Sequence, residues 1–131
     1  MTEFVYLNGN LTPKNEASIS PEDRGFNFAD GIYEVIKYYN GKPFRYDDHI
    51  DRLTRSLSEV QIEFNDIESL EPMFQELLVK NGLASQESGI YLQITRGSQT
   101  RIHRFPENIK PTIRSEEHTS ELQLHLKLVC R

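Results

Sequence analysis

Two basic side chains, Arg101 and His103, have the spacing of a pair that could hold a carboxylate. Residues two apart in an extended segment project to the same side, so both side chains could reach one ligand. The guanidinium of Arg101 offers two parallel donors that match a carboxylate, and the imidazole of His103 offers another. On pattern alone, a surface loop with unrelated basic residues explains the pair better. Arg101 and His103 are therefore candidate substrate-binding residues that need support from other motifs.

A second arginine and a tyrosine are further candidates. Arg52 lies in the segment Asp48 to Leu53, at the start of a predicted helix, where its planar fork of donors could bind an anion. On pattern alone a solvated helix face is the better interpretation of this segment. Tyr33 follows the turn residues Asp30-Gly31, and strand alternation places it on the same face as Lys37. Its phenol could line a pocket, although such a tyrosine more often packs on the face of a sheet.

The elements that carry these residues begin with two β-hairpins. The dipeptides Asn8-Gly9 and Asn40-Gly41 predict them, because both residues of a type I′ turn must accept a positive φ. The expected strands are Phe4 to Leu7, Asn10 to Thr12, Ile32 to Tyr39 and Pro43 to Tyr46. Between the hairpins, Ser20 as a capping residue and Pro21 at the first helical position predict a short helical turn that closes at Arg24-Gly25.

Two amphipathic helices are predicted after the second hairpin. Asp47 or Asp48 could cap the first, in which apolar residues recur at spacings of three and four. These residues are Ile50, Leu53, Leu57 and Val60. The stripe of the second helix is Ile67, Leu70, Met73, Phe74, Leu77 and Leu78, and Asn81-Gly82 ends it. A strand at Gly89 to Thr95 follows, and Pro106 to Pro111 leads into another. This order predicts an α+β fold, an antiparallel sheet flanked by two helices.

Composition narrows the class of protein. The 131 residues, 37% of them hydrophobic, suit one domain with a modest core. The net charge of -5 argues against nucleic acid as a partner, since no basic stripe could neutralise a phosphate backbone. No apolar run has the length of a membrane span and the first residues do not resemble a signal peptide, which predicts a cytoplasmic protein. The single cysteine, Cys130, predicts neither an internal disulfide nor a cysteine metal site.

The end of the sequence does not fit the rest. Residues Arg114 to Gln123 resemble, residue for residue, the translation of a widely used sequencing adapter oligonucleotide. We therefore expect residues 114–131 to be a non-native tail, so that a metal site built from His118, His125 and Cys130 would be spurious. The alternative is a genuine C-terminal strand, because Leu122 to Leu128 alternates between leucine and polar residues.

The motifs together resemble a known family. Arg24 to Glu34, His49 to Leu53 and Arg101-Ile102-His103 match the N-terminal domain of D-amino-acid aminotransferases, which are class IV (fold type IV) pyridoxal-phosphate enzymes, in order and spacing. The resemblance covers essentially residues 4–112 and implies a family domain at residues 1–113. It implies that Arg52 binds the phosphate of pyridoxal 5'-phosphate. It also implies that Tyr33, Arg101 and His103 form a trap for the substrate carboxylate across the interface of a homodimer.

The resemblance further implies a reaction. A D-amino acid such as D-alanine would give its amino group to 2-oxoglutarate, with pyridoxal phosphate as the electron sink. The lysine that forms a Schiff base with the cofactor lies in the family's second domain, so we expect this chain alone to be inactive. Branched-chain aminotransferases and aminodeoxychorismate lyases share the first two motifs and are alternatives, and Arg101-Ile102-His103 favours D-amino acids. A non-catalytic α+β interaction module is a further alternative.

Overall fold

A computed structural model describes residues 3–119 of the chain and, in its last strand, the side chains as far as residue 117. These residues form a six-stranded antiparallel sheet with the strand order β2-β1-β6-β5-β3-β4. The strands are β1 (Phe4–Leu7), β2 (Asn10–Pro13), β3 (Gly31–Tyr39), β4 (Lys42–Pro43), β5 (Ser88–Thr95) and β6 (Thr112–Thr119). The α-helices are α1 (Arg24–Phe28), α2 (Tyr46–Val60) and α3 (Leu70–Lys80). The predicted α+β fold is confirmed.

The core lies between one face of the sheet and the two longer helices. Side chains alternate along β3, so that Ile36 and Tyr38 are fully buried while Tyr33 on the opposite face is exposed. The predicted helical stripes supply the other half of this core, with Leu53 and Leu57 buried in α2. In α3 the buried residues are Leu70, Phe74, Leu77 and Leu78. Each such side chain contributes roughly 1.5–3 kcal/mol when fully buried. No helix among residues 3–119 has the length and apolar character needed to cross a bilayer.

Both predicted hairpin turns are present. Asn8 and Gly9 have φ values of 51° and 86°, and Asn40 and Gly41 have values of 52° and 78°, as a type I′ turn requires. The second hairpin is shorter than predicted, because β4 ends at Pro43 and the chain then turns into α2. This turn passes through Arg45 in the left-handed region, at φ 55°.

The predicted starts of two helices were wrong. The turn expected from Ser20 to Gly25 is shifted, and α1 begins at Arg24 because the carboxylate of Asp23 accepts a hydrogen bond from the backbone N–H of Gly25, at 2.8 Å. Ser20 instead accepts the backbone N–H of Glu22 in a local turn. Helix α2 begins at Tyr46, and its N-cap Arg45 makes no side-chain capping bond. Asp47 and Asp48, which were expected as caps, therefore lie in its first turn, where their negative charges interact favourably with the positive end of the helix dipole.

Strand β6 completes the sheet between β1 and β5. It extends from Thr112 to Thr119, and Arg114 pairs with Leu7 on one side and with Gln93 on the other. The alternating leucines from Leu122, together with His125 and Cys130, lie outside the described residues. The expectation that residues 114–131 are a non-native tail stays a prediction.

Candidate functional site

Three side chains form a charged cluster where β3 meets α2. Glu34, on the buried face of β3 and only 4% exposed, accepts two parallel hydrogen bonds from Arg52, from Nε and from Nη2, each at 2.7 Å. His49, one turn earlier on α2, lies 2.9 Å from the same carboxylate through Nδ1. His49 and Arg52 are three positions apart in α2, so both project from the same side of the helix. The cluster therefore fixes the orientation of the Arg52 guanidinium.

The ionisation of this cluster follows from its contacts. Burial acts to raise the pKa of the Glu34 carboxyl, but hydrogen bonds from Arg52 and His49 outweigh burial and hold that pKa below its ordinary value. The same bidentate contact raises the pKa of Arg52. The side chain of Arg52 remains 57% exposed, so the guanidinium is held from behind by Glu34 and open to solvent on its other side. Such a charged group can bind an anion such as a phosphate.

Tyr33 lies on the open face of the sheet. Its side chain is 65% exposed, and its ring stacks on that of Tyr91 with the centroids 5.9 Å apart. The guanidinium carbon of Arg114 also lies over the ring of Tyr91, 5.4 Å from its centroid. Tyr33 thus belongs to an exposed aromatic surface that can present a phenol to a ligand.

Arg101 and His103 lie together against one aromatic ring. The guanidinium carbon of Arg101 is 5.5 Å from the centroid of Phe28, and the ring of His103 meets Phe28 edge-on with centroids 5.4 Å apart. Both basic side chains are exposed. The described residues therefore bring Arg101 and His103 into one group beside α1, while the ring contact of Tyr33 is made with Tyr91 on β5. Arg52 belongs to the separate cluster with Glu34.

A second buried charged group fixes the loop that carries this pair. The carboxylate of Asp30 accepts hydrogen bonds from Arg24 Nε at 2.8 Å and from Arg96 Nε at 2.7 Å. The side chains of Arg24 and Arg96 are only 3% and 6% exposed. Arg24 also donates to the carbonyl oxygen of Ile102, at 2.7 Å. Burial acts to raise the pKa of Asp30, but the two arginines outweigh it and the pKa is lowered.

Sequence reasoning missed the partners of these clusters. Strand alternation puts Glu34 on the same face as the apolar Ile36, and a carboxylate on the buried face of a strand needs a cationic partner. That pattern was a usable signal for Glu34. Arg24, Asp30 and Arg96 gave no comparable signal, since their contacts join segments far apart in the chain.

A cleft of about 510 Å³ opens beside α1. Among its lining residues are Phe26 of α1, Gln93 and Thr95 of β5, and Arg114 of β6. None of the four candidate residues is among the described residues that line it. The candidate site is therefore defined by the contacts of these four residues and not by this cleft.

Comparison with protein families identifies the chain. The family model for amino-transferase class IV matches residues 31–129. The chain belongs to the class IV aminotransferase family, which confirms the resemblance found in the sequence. The family match extends past Thr112 and includes β6.

Individual relatives that match the chain are D-alanine aminotransferases. The chain is 45% identical over 111 residues to a D-alanine aminotransferase of Staphylococcus haemolyticus, an alignment that covers 83% of this chain and 39% of that protein. It is 39% identical over 110 residues to a D-alanine aminotransferase of Bacillus licheniformis, covering 83% of this chain and 38% of that protein. The chain thus spans about two fifths of the length of these relatives.

Solved structures share the fold at lower identity. A branched-chain amino acid aminotransferase of Escherichia coli superposes with a TM-score of 0.81 at 18% identity, covering 91% of this chain and 40% of that one. A 4-amino-4-deoxychorismate lyase of Pseudomonas aeruginosa gives a TM-score of 0.69 at 23% identity, covering 88% of this chain and 39% of that one. These structures establish the architecture, and the choice among activities depends on sequence.

Proposed function

We propose that the complete protein is a pyridoxal-phosphate-dependent transaminase that moves the amino group of a D-amino acid, such as D-alanine, to 2-oxoglutarate. The observation that carries this proposal is the 45% identity to a D-alanine aminotransferase over 111 residues, a segment that includes every candidate site residue. By the complete protein we mean the product of the natural reading frame, as determined by sequencing through and beyond the codon of Thr112. Residues 1–113 would be its N-terminal domain, and the cytoplasm its location.

Arg52 is the residue that fits the phosphate of the cofactor. Its guanidinium is fixed by Glu34 yet more than half exposed, which allows one further anion contact without loss of the existing hydrogen bonds. A phosphate needs additional donors, and these would come from the rest of the complete protein. The bound cofactor would supply an electron sink for removal of the α-proton of the amino acid.

Arg101 and His103 would bind the substrate carboxylate. Their shared contact with Phe28 holds two donors side by side, and a carboxylate between them would accept charge-assisted hydrogen bonds. Tyr33, exposed on the open sheet face, would contribute a third donor from the partner subunit of a homodimer. This arrangement would orient the substrate, and the proton transfers would belong to a lysine in the remainder of the complete protein.

Sequencing and a transaminase assay test the proposal. The reading frame is sequenced across the codon of Thr112. Both the 131-residue chain and the complete protein are then assayed for pyruvate formation from D-alanine and 2-oxoglutarate with added cofactor. We expect turnover from the complete protein only. Parallel assays with L-leucine test the branched-chain alternative. A complete protein that is inactive with D-alanine, or that prefers L-leucine, would refute the proposal.

Two arginine variants of the complete protein test the separate roles. Arg101→Ala should retain the cofactor colour on dialysis but lose about 2–3 kcal/mol of transition-state binding, roughly 30- to 150-fold in kcat/KM. Arg52→Ala should lose the colour on dialysis and regain part of its activity with excess cofactor, and Arg52→Lys should be intermediate. If Arg52→Ala holds the cofactor and Arg101→Ala releases it, the two assignments are reversed.

A further inference from the structure

The buried group of Arg24, Asp30 and Arg96 carries more positive than negative charge. Two guanidinium groups share one carboxylate, and all three side chains are at most 9% exposed. Arg96 is compensated at the C-terminal end of α2, where its Nη2 and Nη1 donate to the carbonyl oxygens of Val60 at 2.7 Å and Gln61 at 2.9 Å. Carbonyls at a helix C-terminus carry the negative end of the helix dipole, so they suit a buried cation.

Arg24 is compensated differently. Its Nη1 donates to the carbonyl oxygen of Ile102, the residue between Arg101 and His103. Because Ile102 joins the two residues, its placement affects both members of the pair. A charged donor at 2.7 Å from a backbone acceptor, with the donor side chain 3% exposed, is a strong restraint on that position.

A second contact from the same helix acts on the side chains of the pair. The ring of Phe28 lies 4.6 Å from the guanidinium carbon of Arg24 and also meets Arg101 and His103. Arg24 and Phe28 are the first and last residues of α1, so one short helix holds both the backbone and the side chains of the pair. The helix is itself fixed to β3, because the Asp30 that pairs with Arg24 directly precedes that strand.

We propose that α1 is a clamp, in which Arg24 and Phe28 are positioning residues that hold Arg101 and His103 in the geometry needed to bind a carboxylate. The proposal rests on the proposed function and explains how the two basic side chains are held in place. Exposed side chains on a loop would otherwise sample many orientations. Binding a carboxylate would then need little further ordering of the loop.

The test uses the complete protein and two clamp variants, Arg24→Lys and Phe28→Leu. Arg24→Lys keeps a positive charge beside Asp30 but loses the fork that reaches both Asp30 and Ile102. We expect KM for D-alanine to rise roughly tenfold with kcat changed less than about twofold, and the cofactor to be retained. Phe28→Leu should give the same pattern and serves if Arg24→Lys does not fold. Arg45→Lys is the matched control, because the ion pair of Arg45 within residues 3–119 is with Asp48, at the exposed start of α2.

Two additional measurements separate positioning from general stability. Hydrogen exchange should increase about tenfold in the peptide that spans residues 98–105 of the clamp variants and stay unchanged in α3. The double variant Arg24→Lys/Arg101→Ala should raise KM by less than the product of the two single effects, because part of the effect of Arg24 is exerted through Arg101.

These experiments distinguish a failure of the clamp from a failure of the proposed function. If the wild-type protein turns over D-alanine but the clamp variants keep its KM, or if the double variant is additive, the clamp is refuted while the proposed function stands. If the wild-type protein has no D-alanine activity, the proposed function fails. Unchanged exchange across residues 98–105 would then refute the clamp as well.

Discussion

Replacing Glu34 with glutamine should destabilise the chain, because it removes the buried charge that holds Arg52 and His49. Glu34 is 4% exposed and accepts two bonds from Arg52 at 2.7 Å. In Glu34→Gln, an amide NH₂ replaces one acceptor and faces a donor. A hydrogen bond to a charged group contributes about 1.5–3 kcal/mol. Because the Arg52 side chain is 57% exposed, solvent screens part of this energy, and we expect a net loss of about 2 kcal/mol.

Urea and thermal unfolding measure this loss. A change of about 2 kcal/mol should lower the midpoint of thermal unfolding by roughly 5–10 °C in a domain of this size. Asp48→Asn is the control, because Asp48 pairs with Arg45 in the same helix but both side chains are more than 60% exposed. That variant should lose less than about 1 kcal/mol. Equal losses in the two variants would refute the argument that burial makes the Glu34 cluster strong.

The same variant predicts a pH dependence. The pKa of Glu34 is lowered in the folded chain relative to its ordinary value of 4.5. The carboxylate therefore stabilises the fold fully above the unfolded pKa, and its contribution is lost as pH falls through the folded pKa. The difference in unfolding free energy between wild type and Glu34→Gln should be largest near pH 7 and shrink below about pH 4.5. A difference that stays constant down to about pH 3 would contradict this sign.

Two further variants test a glycine backbone position and a contact between α3 and β1. Gly97→Ala should lose about 3 kcal/mol or more, since Gly97 has φ 112° and an added Cβ would lie 2.0 Å from the carbonyl oxygen of Lys110. Gly82→Ala is its control, with φ 72° and open space around the added atom, and should lose only about 1–2 kcal/mol in urea unfolding. Asn81→Ala should lose about 2 kcal/mol and increase hydrogen exchange in β1, because the Asn81 amide bonds both backbone groups of Phe4, at 2.8 and 2.9 Å; unchanged exchange would contradict this.

Local patterns predicted most of the fold. The turn at Asn40-Gly41 and the stripe that includes Leu53 and Leu57 each depend on residues close together in sequence, and both were confirmed. The wrong helix starts have a common cause. At α1 the predicted cap was Ser20, whereas Asp23 caps the helix by accepting a hydrogen bond from the backbone N–H of Gly25. At α2 a short β4 and a left-handed Arg45 set the start, and neither has a local signal.

The candidate site was less accessible to sequence reasoning. Arg101 and His103 could be paired by spacing, and the structure places both against Phe28. Their backbone restraint, however, comes from Arg24, which is 78 residues away from Ile102 in the chain. A contact over that separation has no periodic signature, because it depends on how β3 and β5 align in the sheet. Sequence patterns can therefore predict candidate ligand-binding residues but miss the residues that orient them.

The two charged clusters follow one physical rule, and this rule explains why the arginines of the chain differ in role. Asp30 and Glu34 lie at and near the start of β3, and each is almost fully buried. A buried carboxylate needs cationic partners, so Asp30 fixes Arg24 and Arg96, and Glu34 fixes Arg52. Arg96 and Arg24 do not present their charges to a ligand, because both side chains are buried and also donate hydrogen bonds to backbone carbonyl oxygens. Arg52 is fixed by Glu34 but remains 57% exposed, which leaves its charge available to an anion.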